Sequence, residues 1–281
     1  WRYDGMDDKL TDYLFDLNGY LVLEGAIDPE DLIEMNKWVD DHWDYVEQPK
    51  EEDGSPRWIG RVETQSYGNE DGVNFQNIVD GGGVFEKLID YPAWIGIVRK
   101  YIAPNNGLSI HENFLNIRGK GGHLYIHSGG HFPRQYFTFR HHNTSEWMVG
   151  QLNVLVALED IGPGDGGTVL IPGSHKVTEV HPRLEVDGEK VGSINDGLIA
   201  GTAPGMEEMH LKAGDVLFFT DAITHGSSER TNEGFRRSVV YRYSPRHIRT
   251  RFNIEQSQDL MDRLTGERRS ILEPVPLRRP S

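Results

Sequence analysis

Two histidines and one arginine carry the chemistry that can be read from this sequence. His127 lies in GHLYIHSGG, Gly122 to Gly130, and His225 lies in DAITHGSSERTNEGFRRS, with Arg236 eleven residues after it. Imidazoles on two different strands, brought to the mouth of a β-barrel, can hold a first-row metal. An acidic cosubstrate would chelate that metal at one end. A guanidinium aimed into the same mouth would hold its far carboxylate by a bidentate contact. Either histidine alone would be read as structural; the combination with Arg236 is what makes the arrangement specific.

Composition narrows the options. The chain of 281 residues has no cysteine, so thiolate zinc sites, iron–sulfur clusters, disulfides and cysteine nucleophiles are excluded. Any metal must rest on His, Asp, Glu, backbone oxygen or small-molecule ligands. The formal net charge of −15 argues against nucleic acid or an anionic membrane as partner, since both reward clustered Lys and Arg. No apolar run approaches the length of a membrane span and no charged-then-apolar leader is seen, so a cytoplasmic protein is expected. Oligomeric state is left open.

The elements that must position these residues fall into three parts. Residues 1–104 read as a mainly helical flank. Leu10, Tyr13, Leu14 and Leu17 recur at helical spacing over 7–17, Asn18-Gly19 breaks the helix, and Tyr20 to Leu23 is a strand. Asp28-Pro29 starts a second helix through Leu32, Met35, Trp38 and Val39 to about Trp43. The polar stretch 47–82 reads as long loops, and Val84 to Ile102 as a third helix bent near Pro92. Residues 105–245 hold short β-branched and aromatic runs separated by Gly, Pro and Asp turns, the pattern of an all-β sandwich or barrel. Residues 246–281 read as a C-terminal extension with one amphipathic helix at Leu260, Met261 and Leu264.

Three blocks resemble the phytanoyl-CoA dioxygenase family of Fe(II)/2-oxoglutarate oxygenases: LNGYLVLEGAIDPEDL, LNVLVALEDIGPGDGGTVLIPGSHK and GDVLFFTDAITHGSSERTNEGFRRSVVYRYSP. The resemblance implies a single domain, mainly β with flanking helices, built on a double-stranded β-helix or jelly roll. It implies Fe(II) held by His127 and His225, and 2-oxoglutarate held at its distal carboxylate by Arg236, with Ser227 as a further contact. Arg237 is the alternative anchor, because strand alternation lets only one of the two arginines point inward. Asn116 and Tyr125, on the strands leading to His127, either face the cosubstrate or point outward. The implied activity is O2-dependent attack on an unactivated C–H bond of a small organic substrate, with the keto acid decarboxylated to succinate.

The family pattern carries a carboxylate two residues after the first histidine, whereas this chain reads His127-Ser128-Gly129. Three readings compete. The sequence resembles iron/2-oxoglutarate halogenases, in which chloride or bromide takes the vacated position and halogen replaces hydroxyl in the product. Alternatively, Asp221 or Asp165 supplies the carboxylate, although both also fit turns. Or the first ligand lies elsewhere, among His131, His141 and His142. A catalytically inactive jelly-roll binding module and a cupin-like metalloenzyme without a keto acid remain as rivals. Asp160, Gly166, Gly167 and His175 read as turn residues, and Trp147 as core. Arg246, Arg249 and Arg251 read as a solvated basic face.

Overall fold

The computed structural model describes residues 2–3, 8–66, 72–102, 107–127, 144–177, 186–187, 190–191, 204–248 and 255–273. The strands among them are β1 Arg2–Tyr3, β2 Tyr20–Leu23, β3 Trp58–Ile59, β4 Val62–Ser66, β5 Val73–Gln76, β6 Leu108–Arg118, β7 Leu124–His127 and β8 Leu152–Ala157. They continue with β9 Thr168–Leu170, β10 Val186–Asp187, β11 Lys190–Val191, β12 Glu207–Glu208, β13 Val216–Thr220, β14 His225–Ser227 and β15 Arg236–Pro245. The helices are α1 Asp8–Asn18, α2 Pro29–Asp41, α3 Trp43–Glu47, α4 Gly83–Lys87, α5 Ile95–Ile102, α6 Gln258–Arg263 and α7 Gly266–Leu272.

The large sheet runs β1-β2-β13-β8-β15-β6-β5-β4-β3, antiparallel except for the β1–β2 pair. The small sheet runs β12-β9-β14-β7, all antiparallel. β8 (LNVLVA) and β13 (VLFFT) are buried along their whole length. They read as continuous apolar runs because both faces of the central sheet are covered. One face packs on the helices: Val239, Tyr241 and Tyr243 of β15 share a core with Phe15, Met35, Phe85 and Trp94. The opposite face turns inward, where Val240, Leu155 and Leu217 pack with Phe219 and Leu170. Helix-side tyrosines also lock the layers. The Tyr241 hydroxyl donates to the Phe85 carbonyl and the Tyr243 hydroxyl to that of Leu88, each at 2.7 Å. Each buried bond of this kind contributes about 1 kcal/mol.

Several expectations are corrected. The stretch 47–82 is not all loop: β3, β4 and β5 extend the large sheet, with β5 paired to β6. VETQS and VNFQ are short and mostly polar, and their burial comes from partners distant in sequence. The helix expected over 84–102 is divided into α4, a 3-10 turn at Leu88–Asp90 and α5. Tyr91, ahead of Pro92, adopts φ −56° and ψ 133°, outside the helical region that a following proline disfavours. The C-terminal extension carries a second helix, α7, capped by the Thr265 side chain. Among the described residues no helix is long and apolar enough to cross a membrane.

Candidate active site

β14 lies between β9 and β7, and its register sets His225 opposite His127. The two rings meet with centroids 4.1 Å apart and planes inclined by 52°. His127 Nδ1 contacts the Tyr125 carbonyl at 2.9 Å and His225 Nδ1 contacts the Ile223 carbonyl at 2.8 Å. A carbonyl can only accept, so both Nδ1 atoms carry the proton and both Nε2 atoms keep a lone pair. Burial pushes the His127 imidazole well below its ordinary value, and the neighbouring His225 pushes it further. A neutral imidazole with its Nδ1–H tied to a carbonyl is the form that ligates metal.

Asp221 lies on the Nε2 side of His225. Its Oδ1 lies 3.9 Å from His225 Nε2, and both side chains are buried. The same oxygen accepts from Gln151 Nε2 at 2.8 Å and from Asn153 Nδ2 at 3.2 Å. Gln151 Oε1 in turn contacts His111 Nε2 at 2.9 Å. The amides fix the carboxylate, whose charge favours positive charge at the histidine end of the cavity.

The histidines open onto a cavity of about 280 Å³ lined by the inner face of the large sheet. Along β15, Arg236, Ser238, Val240 and Arg242 all line it, as the two-residue period requires. Arg236 is 4 % exposed; its guanidinium donates to the Gly166 carbonyl, and to Asn116 Oδ1 at 3.2 Å. Ser227 and Asn116 line the same region, with Asn116 Nδ2 donating to Asn74 Oδ1 at 2.7 Å. Arg237 points to the other face, where it pairs with Asp40 at 2.7 Å and lies over Trp43.

The other expected residues separate clearly. Tyr125 does not line the cavity. Its ring packs edge-on against His123 at 4.9 Å, and its carbonyl accepts from His127 Nδ1. Asp165 is a turn residue engaged by Arg230 at 3.0 Å and by Asn232 at 2.9 Å. Trp147 packs on Tyr101 and Phe15 in the helix-side core, and His175 contacts the Asp16 carbonyl. Asp160 accepts from the Ala213 amide at a turn, whereas Gly166, read as turn chemistry alone, also offers its carbonyl to Arg236. Gly129, His131, His141, His142, Arg249 and Arg251 lie outside the described residues. Among the described residues no group of three His, Asp or Glu side chains could share one metal ion.

The cavity also holds polar residues that sequence reasoning misses. Arg118, at the end of β6, donates to Ser227 Oγ. Glu112, also on β6, pairs with Arg242 and accepts from Gln76. Alternate positions of LSIHENFLNIR give Glu112, Phe114, Asn116 and Arg118 on one face. That polar row is a usable signal once Asn116 is a candidate. The donor set fits a first-row metal that completes its coordination with small-molecule ligands, in a cavity that Arg118, Arg236 and Arg242 also line.

Comparison with known proteins bears on the family and the fold. The family model described as Phytanoyl-CoA dioxygenase (PhyH) matches residues 15–238. A Caenorhabditis elegans protein named Probable phytanoyl-CoA dioxygenase is 22 % identical over 253 residues, 86 % of this chain and 76 % of that protein. Among solved structures, HygX from Streptomyces hygroscopicus with nickel and 2-oxoglutarate bound superposes with a TM-score of 0.66 at 22 % identity, covering 91 % of this chain and 94 % of that one. HygX has also been solved with nickel, 2-oxoglutarate and hygromycin B bound, with a TM-score of 0.65 at 22 % identity and the same coverage of 91 % and 94 %. The epimerase SnoN, in complex with Fe3+, alpha-ketoglutarate and nogalamycin RO, gives a TM-score of 0.55 at 16 % identity, covering 85 % and 84 %. The shared fold is the jelly roll with flanking helices.

Proposed function

The chain belongs to the phytanoyl-CoA dioxygenase (PhyH) family, and from that membership we propose that it is a non-haem Fe(II)- and 2-oxoglutarate-dependent oxidoreductase acting on a C–H bond of a small organic substrate. The observation that carries this reading is one cavity lined by both the His127–His225 pair and the buried Arg236. Fe(II) chelated by the keto acid supplies the activation of O2 that C–H oxidation needs. The chain's own residues do the rest. The two imidazoles hold the metal through Nε2. Arg236 receives the distal carboxylate, and Ser227 adds a hydroxyl contact. The small-molecule substrate is supported by the hygromycin B bound in HygX and the nogalamycin RO bound in SnoN.

Halogenation is the second reading, and one observation favours it: Gly129 stands where the family pattern has a carboxylate. Under that reading chloride or bromide joins the metal beside the two imidazoles, and the product carries halogen in place of hydroxyl.

The test is an anaerobic titration of metal-free protein with Fe(II) and 2-oxoglutarate, followed by visible absorption with and without halide. A metal-to-ligand charge-transfer band is expected. A band that moves with chloride or bromide supports halogenation, and one indifferent to halide supports hydroxylation. No band in folded protein would return the reading to a binding module or to a metalloenzyme without a keto acid.

A further inference from the structure

We propose that Asn74, on strand β5, is a positioning residue for the cosubstrate: through Asn116 it holds the Arg236 guanidinium in the orientation that receives the distal carboxylate. The inference rests on the 2-oxoglutarate reading above and adds a residue to it.

Three observations carry it. First, β5 turns its amides toward the cavity. Val73 and Phe75 belong to the helix-side core, and the Phe75 ring meets Trp38 of α2 edge-on at 5.3 Å. Strand alternation then sends Asn74 and Gln76 inward. Both are buried, and Asn74 lines the cavity. Asparagine is depleted in strands, so strand-forming tendency does not explain it there. Its hydrogen bonds do.

Second, the register builds a line of those bonds across three strands. Asn74 stands opposite Asn116, Asn116 stands opposite Ser238, and Arg236 lies two residues before Ser238 on the same face. Asn116 Nδ2 donates to Asn74 Oδ1 at 2.7 Å, and Arg236 Nη2 donates to Asn116 Oδ1 at 3.2 Å. A guanidinium has donors only, so Asn116 must show it the oxygen of its amide. The NH2 group then faces β5, where the Asn74 oxygen accepts from it. Turning the Asn116 amide over would break both bonds and set N–H against N–H. Arg236 also donates from Nη1 to the Gly166 carbonyl. Held at both Nη atoms, the guanidinium is organised before a carboxylate arrives, which lowers the cost of binding one.

Third, the backbone brings β5 close to β6 beside Asn74. Gly72 precedes the strand at φ +79°, and a Cβ there would come within 2.1 Å of the Ile117 carbonyl oxygen. Only glycine lets β5 enter the sheet at that distance, two residues before Asn74.

The experiment uses the full chain loaded with Ni(II), which avoids turnover. Calorimetry measures Ni(II) affinity, then 2-oxoglutarate affinity, then the affinity of pyruvate, a keto acid without the distal carboxylate. Asn74→Leu is close in size and removes the acceptor. It is expected to weaken 2-oxoglutarate about fivefold, the scale of one neutral hydrogen bond. Ni(II) and pyruvate affinities are expected to hold, so the preference for 2-oxoglutarate over pyruvate falls. In an Arg236→Ala background the same substitution is expected to cost less than about twofold, because its effect runs through the guanidinium. If Asn74→Leu fails to melt cooperatively, Asn74→Ala carries the same comparisons. Unchanged 2-oxoglutarate affinity, equal losses for both keto acids, or a loss that persists in full without Arg236 overturns the inference alone. Failure of the wild-type protein to bind 2-oxoglutarate overturns the functional reading and this inference with it.

Discussion

His127 and His225 stand opposite each other across β7 and β14, each with Nδ1 on the carbonyl of the residue two before it. The same local device therefore sets both tautomers, and the Nε2 atoms are left as a matched pair. His127→Ala and His225→Ala are each expected to lower Fe(II) affinity by more than about 100-fold, beyond the range seen for outer-shell partners. Direct metal titration of the folded variants checks this. Retained affinity in either variant would mean that this pair is not the metal site.

Arg236 and Arg237 test the cosubstrate end, because one strand sends them to opposite faces. Arg236→Ala is expected to weaken 2-oxoglutarate by about 100-fold or more while leaving metal affinity nearly unchanged. Arg237→Ala, on the Asp40 and Trp43 side, should leave both unchanged. A reversed pattern in a binding titration would move the anchor to Arg237 and contradict the burial of Arg236.

Much of this arrangement is legible in the amino-acid sequence. The strand Val216–Thr220 is one of the short β-branched and aromatic runs read in 105–245, since VLFFT follows the Gly214-Asp215 turn signal. The strand period makes Arg236 and Arg237 face opposite sides without deciding which is inward; Arg236 is the one that lines the cavity. What is not legible are features set by distant partners. β5 contributes Asn74 to the cavity, yet VNFQ carries little local signal beside its polar neighbours. Arg118 reads as a basic residue entering a glycine turn, because nothing local tells that Gly122 folds back along its stem. Helix α7 lacks an apolar stripe long enough to register; only Ile271 and Leu272 of its seven residues are buried.

Asp221 separates a supporting role from a ligating one. Its carboxylate is fixed by Gln151 and Asn153 and lies 3.9 Å from His225 Nε2. A supporting carboxylate predicts that Asp221→Asn lowers Fe(II) affinity by about tenfold, the lower end of outer-shell effects. Metal titration beside His225→Ala reads the difference. A loss as large as that of the histidine variant would make Asp221 the missing ligand and remove the reason for a halide.

Gly129→Asp asks the same question from the other side. A carboxylate two residues after His127 would restore the family pattern. The variant is expected to keep the charge-transfer band with 2-oxoglutarate and to lose any response of that band to chloride or bromide. A halide response that persists in Gly129→Asp would show that His127-Ser128-Gly129 does not frame the halide position.

His175 makes a prediction about stability that is independent of catalysis. Its ring packs against Gly19, where a Cβ would come within 2.4 Å of Nδ1, and its Nε2 contacts the Asp16 carbonyl at 3.0 Å. Burial pushes its pKa from the ordinary 6.5 down to about 4. The unfolded chain therefore binds a proton that the folded chain refuses between those two values. Stability attributable to this residue is complete above the upper value and is lost as pH falls toward the lower one. At 1.36 kcal/mol per unit the window holds about 3 kcal/mol. His175→Gln, which cannot titrate, is expected to flatten the pH dependence of urea unfolding across that interval. The two proteins should differ most in slope near pH 5. Parallel curves for wild type and variant would show that His175 takes up its proton in the folded protein without cost, and would contradict the tight packing against Gly19.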